Sequence, residues 1–213
     1  MAQSKPKRAK QDPAMLLEEE LDLICDWEVC KQLFRNIDRF SEHVAQHVGQ
    51  VDDDKGSITC MWEDCGSVTS GKKEMMRHIY CHAYHTKLKF HGAQCIEKRG
   101  LQECQLDSKS RNAVPQVTEP FICSWVDCKL EFDNIQEFVS HVHSHSTTKN
   151  VGEKTVKCLW GNCKSSFKKY DNLSDHLKSH SQAKCVACPT CGSVFANRTK
   201  FHDHCLRQVP PDG

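Results

Sequence analysis

Residues 25–47 read CDWEVCKQLFRNIDRFSEHVAQH, and this stretch decides the fold. Its two cysteines, Cys25 and Cys30, have four residues between them, which suits the turn of a short β-hairpin. Its two histidines, His43 and His47, are one helical turn apart, so they lie on one face of a helix. Two thiolates and two imidazoles form a closed tetrahedral Zn²⁺ site. The stretch therefore predicts a small ββα unit that zinc stabilises.

The same ligand spacing, C-x4-C-x12-H-x3-H, occurs four times along the chain. The four ligand sets are Cys25, Cys30, His43 and His47; Cys60, Cys65, His78 and His82; Cys123, Cys128, His141 and His145; and Cys158, Cys163, His176 and His180. Apolar residues recur with them, for example Phe34 and Phe40 in the first unit and Phe167 and Leu173 in the fourth. Chance spacing of Cys and His does not give four identical intervals. The repeat predicts four zinc fingers in a small α+β fold.

A fifth unit carries only part of the pattern. Its three matching ligands are Cys188, Cys191 and His204. Gln208 stands where the fourth ligand is expected. Cys205 follows His204 directly and points about 100° away from it round the helix, so it is poorly placed to bind the same ion. Cys185 precedes the hairpin and could bend in to bind the ion. We therefore expect a degenerate finger five. Either water or an outside group completes its zinc site, or the finger folds weakly.

All four tryptophans lie two residues after the first cysteine of a complete finger. They are Trp27, Trp62, Trp125 and Trp160. A lone finger cannot bury a tryptophan at this outward-facing turn, and exposed large apolar groups usually mark contacts. Linkers of 12 residues (48–59 and 146–157) join fingers one to two and three to four, whereas 40 residues (83–122) separate the two pairs. We expect two Trp-clasped pairs of fingers; the alternative is that each tryptophan packs on its own hairpin.

The predicted organisation follows from these units. It comprises a disordered tail at 1–20, finger one at 21–49, finger two at 56–84, an inter-pair linker at 85–118, finger three at 119–147, finger four at 154–182, finger five at 184–208 and a tail at 209–213. The finger-two helix could continue through residues 84–90 to Gly92. His85, His91, Cys95 and Cys104 could form a further zinc site in the linker, but their irregular spacing favours an ordinary buried or solvated role.

Composition favours metal over other means of stabilisation. The chain has 213 residues, 38% of them hydrophobic, with 15 Cys and 13 His, which is thin material for one large core. No apolar run approaches the ~20 residues that a membrane span needs, and the start of the sequence lacks the apolar region of a secretion signal. In a reducing compartment such thiols bind metal rather than pair. The four complete sites leave no open coordination position, so we do not expect an enzyme.

Charge is distributed unevenly although the net charge is only +1. Residues 11–60 carry four basic and twelve acidic groups, and residues 154–207 carry ten basic and three acidic groups. Attraction to phosphate is therefore expected at the fourth and fifth fingers. The linker at 181–187 also has the length that lets consecutive fingers follow the major groove of DNA.

Helix positions −1, 3 and 6 of a DNA-bound finger face the bases. In the fourth and fifth fingers these positions hold Lys169, Asn172 and Asp175, and Asn197, Lys200 and Asp203. Lysine can donate hydrogen bonds to guanine, asparagine can bond to adenine, and aspartate can accept a hydrogen bond from cytosine. The same positions hold Asn36, Arg39 and Glu42 in finger one and Asn134, Glu137 and Ser140 in finger three. We assign fingers one to three to pairing and protein contacts.

Several stretches resemble known zinc-finger families. C-x-W-x2-C in paired fingers resembles the Gli and Zic type, in which the first fingers pack on one another. YCHAYHTKLK (80–89), SRN (110–112), and CVACPTCG (185–192) running on to TKF (199–201) are similar to the histone nuclear factor P family of histone H4 gene transcription factors. This resemblance implies a nuclear, sequence-specific regulator that binds double-stranded DNA. It also implies nuclear coregulators as partners, including a methyl-CpG-binding protein.

Two other functions remain open from the residues alone. Paired fingers could form a protein-interaction scaffold in a chromatin complex with little DNA affinity of its own, and zinc fingers can also bind RNA. The stretch KRAK (7–10) fits a nuclear import signal, which agrees with a location in the nucleus. The chain is expected to be a monomer.

Overall fold

A computed structural model describes residues 20–51, 56–106, 111–147 and 155–207. The predicted import signal, Gln208 and the tail at 209–213 lie outside the described residues. Among the helices in the described ranges, none is both long and apolar enough to cross a membrane.

The described chain contains five ββα units, which confirms the predicted fold class. The strands are β1 (Leu23–Ile24), β2 (Leu33–Phe34), β3 (Ile58–Thr59), β4 (Val68–Thr69), β5 (Phe121–Ile122), β6 (Glu131–Phe132), β7 (Val156–Lys157), β8 (Ser166–Phe167), β9 (Val186–Ala187) and β10 (Val194–Phe195). The helices are α1 (Ile37–Gln50), α2 (Lys72–Arg99), α3 (Ile135–Ser144), α4 (Tyr170–His180) and α5 (Arg198–Leu206). Consecutive strands pair antiparallel in five separate two-stranded sheets. Each hairpin thereby brings its cysteines to the helix that carries the histidines.

Three of the five helices begin at an asparagine cap. The side-chain oxygens of Asn36, Asn134 and Asn197 accept hydrogen bonds from the N–H groups of Asp38 at 2.8 Å, Gln136 at 2.9 Å and Lys200 at 2.9 Å. Such a cap satisfies a backbone donor that the first helical turn leaves unpaired. The asparagine at position −1 therefore has a structural role in all three fingers.

The two finger pairs are joined at their cysteine turns. Trp27 lies opposite Trp62, and Trp125 lies opposite Trp160, in antiparallel bridges. Two backbone hydrogen bonds flank each bridge: Glu28 N to Met61 O at 3.0 Å and Glu63 N to Asp26 O at 2.9 Å in the first pair, and Val126 N to Leu159 O at 2.8 Å and Gly161 N to Ser124 O at 2.7 Å in the second. In each pair an antiparallel bridge thus joins the turns of the two fingers, which confirms the predicted pairs.

Each tryptophan also contacts its own finger. The Trp62 ring stacks on His82 with 4.9 Å between centroids, and its edge meets Phe40 of finger one at 6.3 Å. Trp160 repeats this arrangement with His180 at 5.3 Å and Phe138 of finger three at 6.5 Å. Packing on the same finger and packing across the pair therefore occur together.

The helix of finger two is much longer than the others. At 28 residues, α2 crosses the boundary predicted at residue 84 and passes the predicted helix limit at Gly92. It continues because its second half is packed: Tyr84, His85, Leu88, Lys89 and Gly92 are all buried. The extended helix contacts α1, α3 and β9, so it connects the first pair to finger three and finger five.

Candidate metal centres and nucleic-acid interface

The ligands of finger one have the spacing of a zinc tetrahedron. Cys30 Sγ lies 3.3 Å from His43 Nε2, Cys25 Sγ lies 3.5 Å from His47 Nε2, and the two Nε2 atoms are 3.2 Å apart. Zinc bonds of ~2.3 Å to sulfur and ~2.0–2.1 Å to nitrogen place tetrahedral ligand atoms about 3.3–3.8 Å apart. The four atoms therefore converge on a common centre of the right size for Zn²⁺.

Fingers two, three and four repeat this geometry. The sulfur-to-nitrogen distances are 3.6 and 3.3 Å in finger two, 3.4 and 3.2 Å in finger three, and 3.5 and 3.4 Å in finger four. In each group every ligand atom lies within 4.8 Å of every other. These groups fit structural Zn²⁺ with four protein ligands each, and zinc is confirmed as the cofactor.

Burial disfavours the charged forms of these groups in the metal-free chain. It raises the pKa of the Cys25 thiol to about 12 and those of Cys123 and Cys158 to about 11 in the metal-free chain. It lowers the pKa of His82 to about 4, so this imidazole stays neutral near pH 7 and keeps a lone pair for the ion. Zinc must displace the thiol protons, so its binding weakens as the pH falls.

Finger five draws its fourth ligand from outside the finger. The side chains that gather here are Cys104, Cys188, Cys191 and His204, with all four ligand atoms within 4.8 Å of one another. Cys191 Sγ lies 3.7 Å from His204 Nε2. Of the two ways in which the degenerate finger could be completed, an outside group is the one observed. Neither Cys185 nor Cys205 belongs to the group.

The expectation of an ordinary buried or solvated role is wrong for Cys104, and so is its alternative grouping with His85, His91 and Cys95. The reason is that α2 continues to Arg99 and carries the following segment to finger five. His85 instead makes a hydrogen bond with the carbonyl of Gly192 at 2.7 Å. Ligand spacing carries no signal for Cys104. Only the missing fourth ligand of finger five and an unassigned thiol elsewhere in the chain point to such a pairing.

The proposed base-reading side chains of fingers four and five are exposed. They are Lys169, Asn172, Asp175, Asn197, Lys200 and Asp203. Lys169 occupies the N-cap position of α4 without making a side-chain capping bond. Asp175 pairs with Lys178 at 2.7 Å, and Asn197 is the cap of α5. Other exposed basic residues surround them: Lys157, Lys164, Lys168, Arg198 and Arg207.

In the first three fingers, two of the equivalent residues pair with each other on the surface and two others are buried. Arg39 pairs with Glu42 at 3.5 Å, and Asn134 is buried at the start of α3. In finger two, helix position 6 holds Arg77, which is only 8% exposed. Its guanidinium donates to the carbonyls of Val117 and Thr118 and to Asp133 Oδ1 at 2.7 Å. Arg77 therefore ties the inter-pair segment and finger three to α2.

The linker between fingers four and five is also held. The Tyr84 hydroxyl donates to the carbonyl of Lys184 at 2.8 Å, and Val186 and Ala187 are fully buried. Finger five therefore meets finger four through a segment that packs on α2. This linker has the length found between fingers that follow the major groove of DNA, but here it packs against α2.

Comparison with known proteins shows which of them the sequence resembles. No protein-family model matches the chain. It is 39% identical over 216 residues to the histone H4 transcription factor of Homo sapiens, covering 92% of this chain and 42% of that protein. The Bos taurus histone H4 transcription factor is 39% identical over 214 residues, with the same coverage. A shorter match, 28% over 71 residues, is to the pH-response transcription factor pacc-1 of Neurospora crassa, covering 33% of this chain and 11% of that protein.

The match to the two histone H4 transcription factors covers 92% of the chain, while the chain spans less than half the length of those relatives. Over this share of its length the chain is therefore similar to the histone H4 transcription factors.

Proposed function

We propose that the chain is a nuclear, sequence-specific DNA-binding regulator of transcription that acts at histone H4 genes. In this proposal fingers four and five contact double-stranded DNA, and fingers one to three serve pairing and protein contacts. The observation that carries the division is the state of the helix positions that read bases. All of them are exposed in the last two fingers, whereas Arg77 of finger two and Asn134 of finger three are buried.

Electrostatics supports the same division. The exposed lysines and arginines of the last two fingers can neutralise phosphates and release counterions, which supplies most sequence-independent affinity. Residues 11–60, around the first finger, carry twelve acidic and four basic groups and lack such a surface. All three relatives reported above are called transcription factors, which agrees with a regulatory role.

The zinc ions are structural in this proposal. Each described metal group has four protein side chains converging on one centre, whereas a catalytic zinc keeps a position for water or substrate. We also propose that the chain acts as a monomer and that nuclear coregulators, including a methyl-CpG-binding protein, bind it. Fingers one to three are the surface that we assign to those partners.

The experiment is binding selection on random duplex DNA with the zinc-loaded chain, followed by affinity measurements over a range of salt. We expect a preferred site and a steep loss of affinity with salt. The double variant Lys169→Ala/Lys200→Ala should lose about 1–3 kcal/mol for each lost base contact. If a lysine contacts phosphate instead, its loss should lower the salt slope by about one. Arg39→Ala is the matched control and should leave both affinity and preference unchanged.

Three results would contradict the proposal. Unchanged binding and preference in the double variant would remove fingers four and five from the DNA contact. Absence of both salt dependence and site preference in the parent chain would favour the protein-interaction scaffold. A preference for RNA over duplex DNA would assign the basic surface to a different nucleic acid.

A further inference from the structure

We propose that the zinc ion of finger five is a clasp between distant parts of the chain. Cys104 completes a Cys3His site with Cys188, Cys191 and His204, and the ion thereby holds finger five against α2. The other four sites each join a hairpin to its own helix. This one joins a finger to the segment that leaves the helix of finger two, and it stands independently of DNA binding.

Cys104 has the local geometry of a zinc-binding thiolate. Its Sγ accepts a hydrogen bond from the backbone N–H of Leu106, two residues on, at 3.4 Å. The first cysteine of finger one accepts the same kind of bond from the N–H of Trp27, and that of finger two accepts one from Trp62. Donors of this kind stabilise a negatively charged sulfur. Cys104 also lies in a buried position, 4% exposed, where an uncompensated thiolate would be costly.

The turn that delivers Cys104 is built into the end of α2. Gly100 adopts φ 57°, in the left-handed region that favours glycine. Its N–H bonds to Glu97 O at 3.3 Å, and the N–H of Leu101 bonds to Ile96 O at 3.0 Å. This pattern ends a helix and reverses the chain. Leu101 then packs beside Ile96 in the apolar cluster around finger five, which brings Cys104 to the metal group.

Three further thiols surround the group without joining it. Cys95, Cys185 and Cys205 belong to the same cluster, and Cys205 is 1% exposed. Their presence gives the site its own controls. A serine at any of them removes a thiol from the same surroundings, whereas only Cys104→Ser removes a ligand.

The hairpin of finger five is shaped to fit α2 closely. Three contacts connect them: Tyr84 to the Lys184 carbonyl at 2.8 Å, His85 to the Gly192 carbonyl at 2.7 Å, and the bare backbone of Gly92 against Ala187. Burial lowers the pKa of His85 to about 4, so the ring is neutral near pH 7 and its Nε2–H donates to Gly192. These contacts need finger five in one orientation, and a metal bond to Cys104 fixes that orientation.

Cadmium NMR of the wild-type chain tests the ligand set without mutation, because the cadmium resonance moves with the number of thiolate ligands. We expect four resonances of the two-thiolate kind and one of the three-thiolate kind. Cys104→Ser should convert or remove that one resonance alone. The substitution should also lower the zinc affinity of the finger-five site. The loss should exceed the ~10–100-fold that removal of an outer-shell partner costs. Cys205→Ser and Cys95→Ser should keep the three-thiolate signal.

Hydrogen exchange then tests the clasp. In zinc-loaded Cys104→Ser, amides of residues 185–195 and of the end of α2 should exchange faster, while those of α1 and α3 stay protected. Five two-thiolate resonances in the wild-type chain would overturn the proposal. So would loss of the three-thiolate signal in Cys205→Ser rather than in Cys104→Ser, or unchanged zinc affinity and exchange in Cys104→Ser.

Discussion

Gly92 of α2 lies directly against the backbone of Ala187 in finger five. A Cβ atom placed on Gly92 would be 1.9 Å from the Ala187 carbonyl oxygen and 3.3 Å from Pro189 Cδ. The obstacle is backbone, which cannot move aside as a flexible side chain can. Helix and hairpin therefore approach closely only because residue 92 has no side chain.

Gly92→Ala should separate finger five from α2. Overpacking of this kind costs about 1–3 kcal/mol, and we expect faster hydrogen exchange in β9 and β10. The control is Gly49→Ala in α1, where an added Cβ meets nothing within 4 Å. That substitution should be neutral or slightly stabilising, since alanine has the higher helix propensity. Equal protection of finger five in both variants would contradict the close contact.

The two tryptophan clasps should differ in strength. Trp62 is 2% exposed and Trp27 is 5% exposed, whereas Trp125 and Trp160 are only half-buried. Trp62→Ala should therefore cost about 3–5 kcal/mol, and Trp160→Ala should cost less. Exchange of amides in α1 and α2 for the first variant, and in α3 and α4 for the second, measures each pair separately. A larger effect in the second pair would show that burial does not set the strength of the clasp.

Asn112 connects the inter-pair segment to finger two. It accepts a hydrogen bond from Lys89 Nζ at 2.6 Å and donates one to the Glu63 carbonyl at 2.6 Å. Asn112→Ala leaves a buried ammonium group without this partner, a loss of about 1–3 kcal/mol. The segment around residue 112 should then become accessible to proteolysis. Gln116→Ala, at an exposed position with one long bond, is the control and should change nothing.

The buried Lys89 should make stability depend on pH. Burial lowers its pKa from 10.5 to about 8 in the folded chain, so folding disfavours the charged form. Between pH 8 and the unfolded value the unfolded state binds more protons, and stability rises with pH. The melting temperature of the wild-type chain relative to Lys89→Met should therefore rise as the pH passes about 8. A constant difference would mean that Lys89 is not desolvated.

Patterns that repeat along the chain could be predicted from the sequence. Ligand intervals and apolar positions are set by local hairpin and helix geometry, so each finger carries its own signal. The recurrence of tryptophan at one position extended the prediction to the contact between fingers. The pairing of fingers involves only neighbours in the sequence, and the tryptophan at the same position in four fingers indicated it.

Contacts between distant segments could not be predicted in this way. Cys104 is a ligand only because α2 is long enough to carry the chain to finger five, and helix length there depends on packing by Tyr84, Leu88 and Gly92. Arg77 occupies a position that can read bases, yet its partners come from the inter-pair segment and finger three. Each role depends on tertiary neighbours that a single sequence does not reveal.

The most direct test of the account is the mass of the intact, natively folded chain at zinc saturation. Five metal groups, one of them closed by Cys104, predict a chain with five bound zinc ions. Addition of a chelator should remove them and abolish the helical circular dichroism, because metal binding supplies the folding free energy of such small units. A maximum of four bound ions, or a metal-free chain that keeps its helices, would contradict the account.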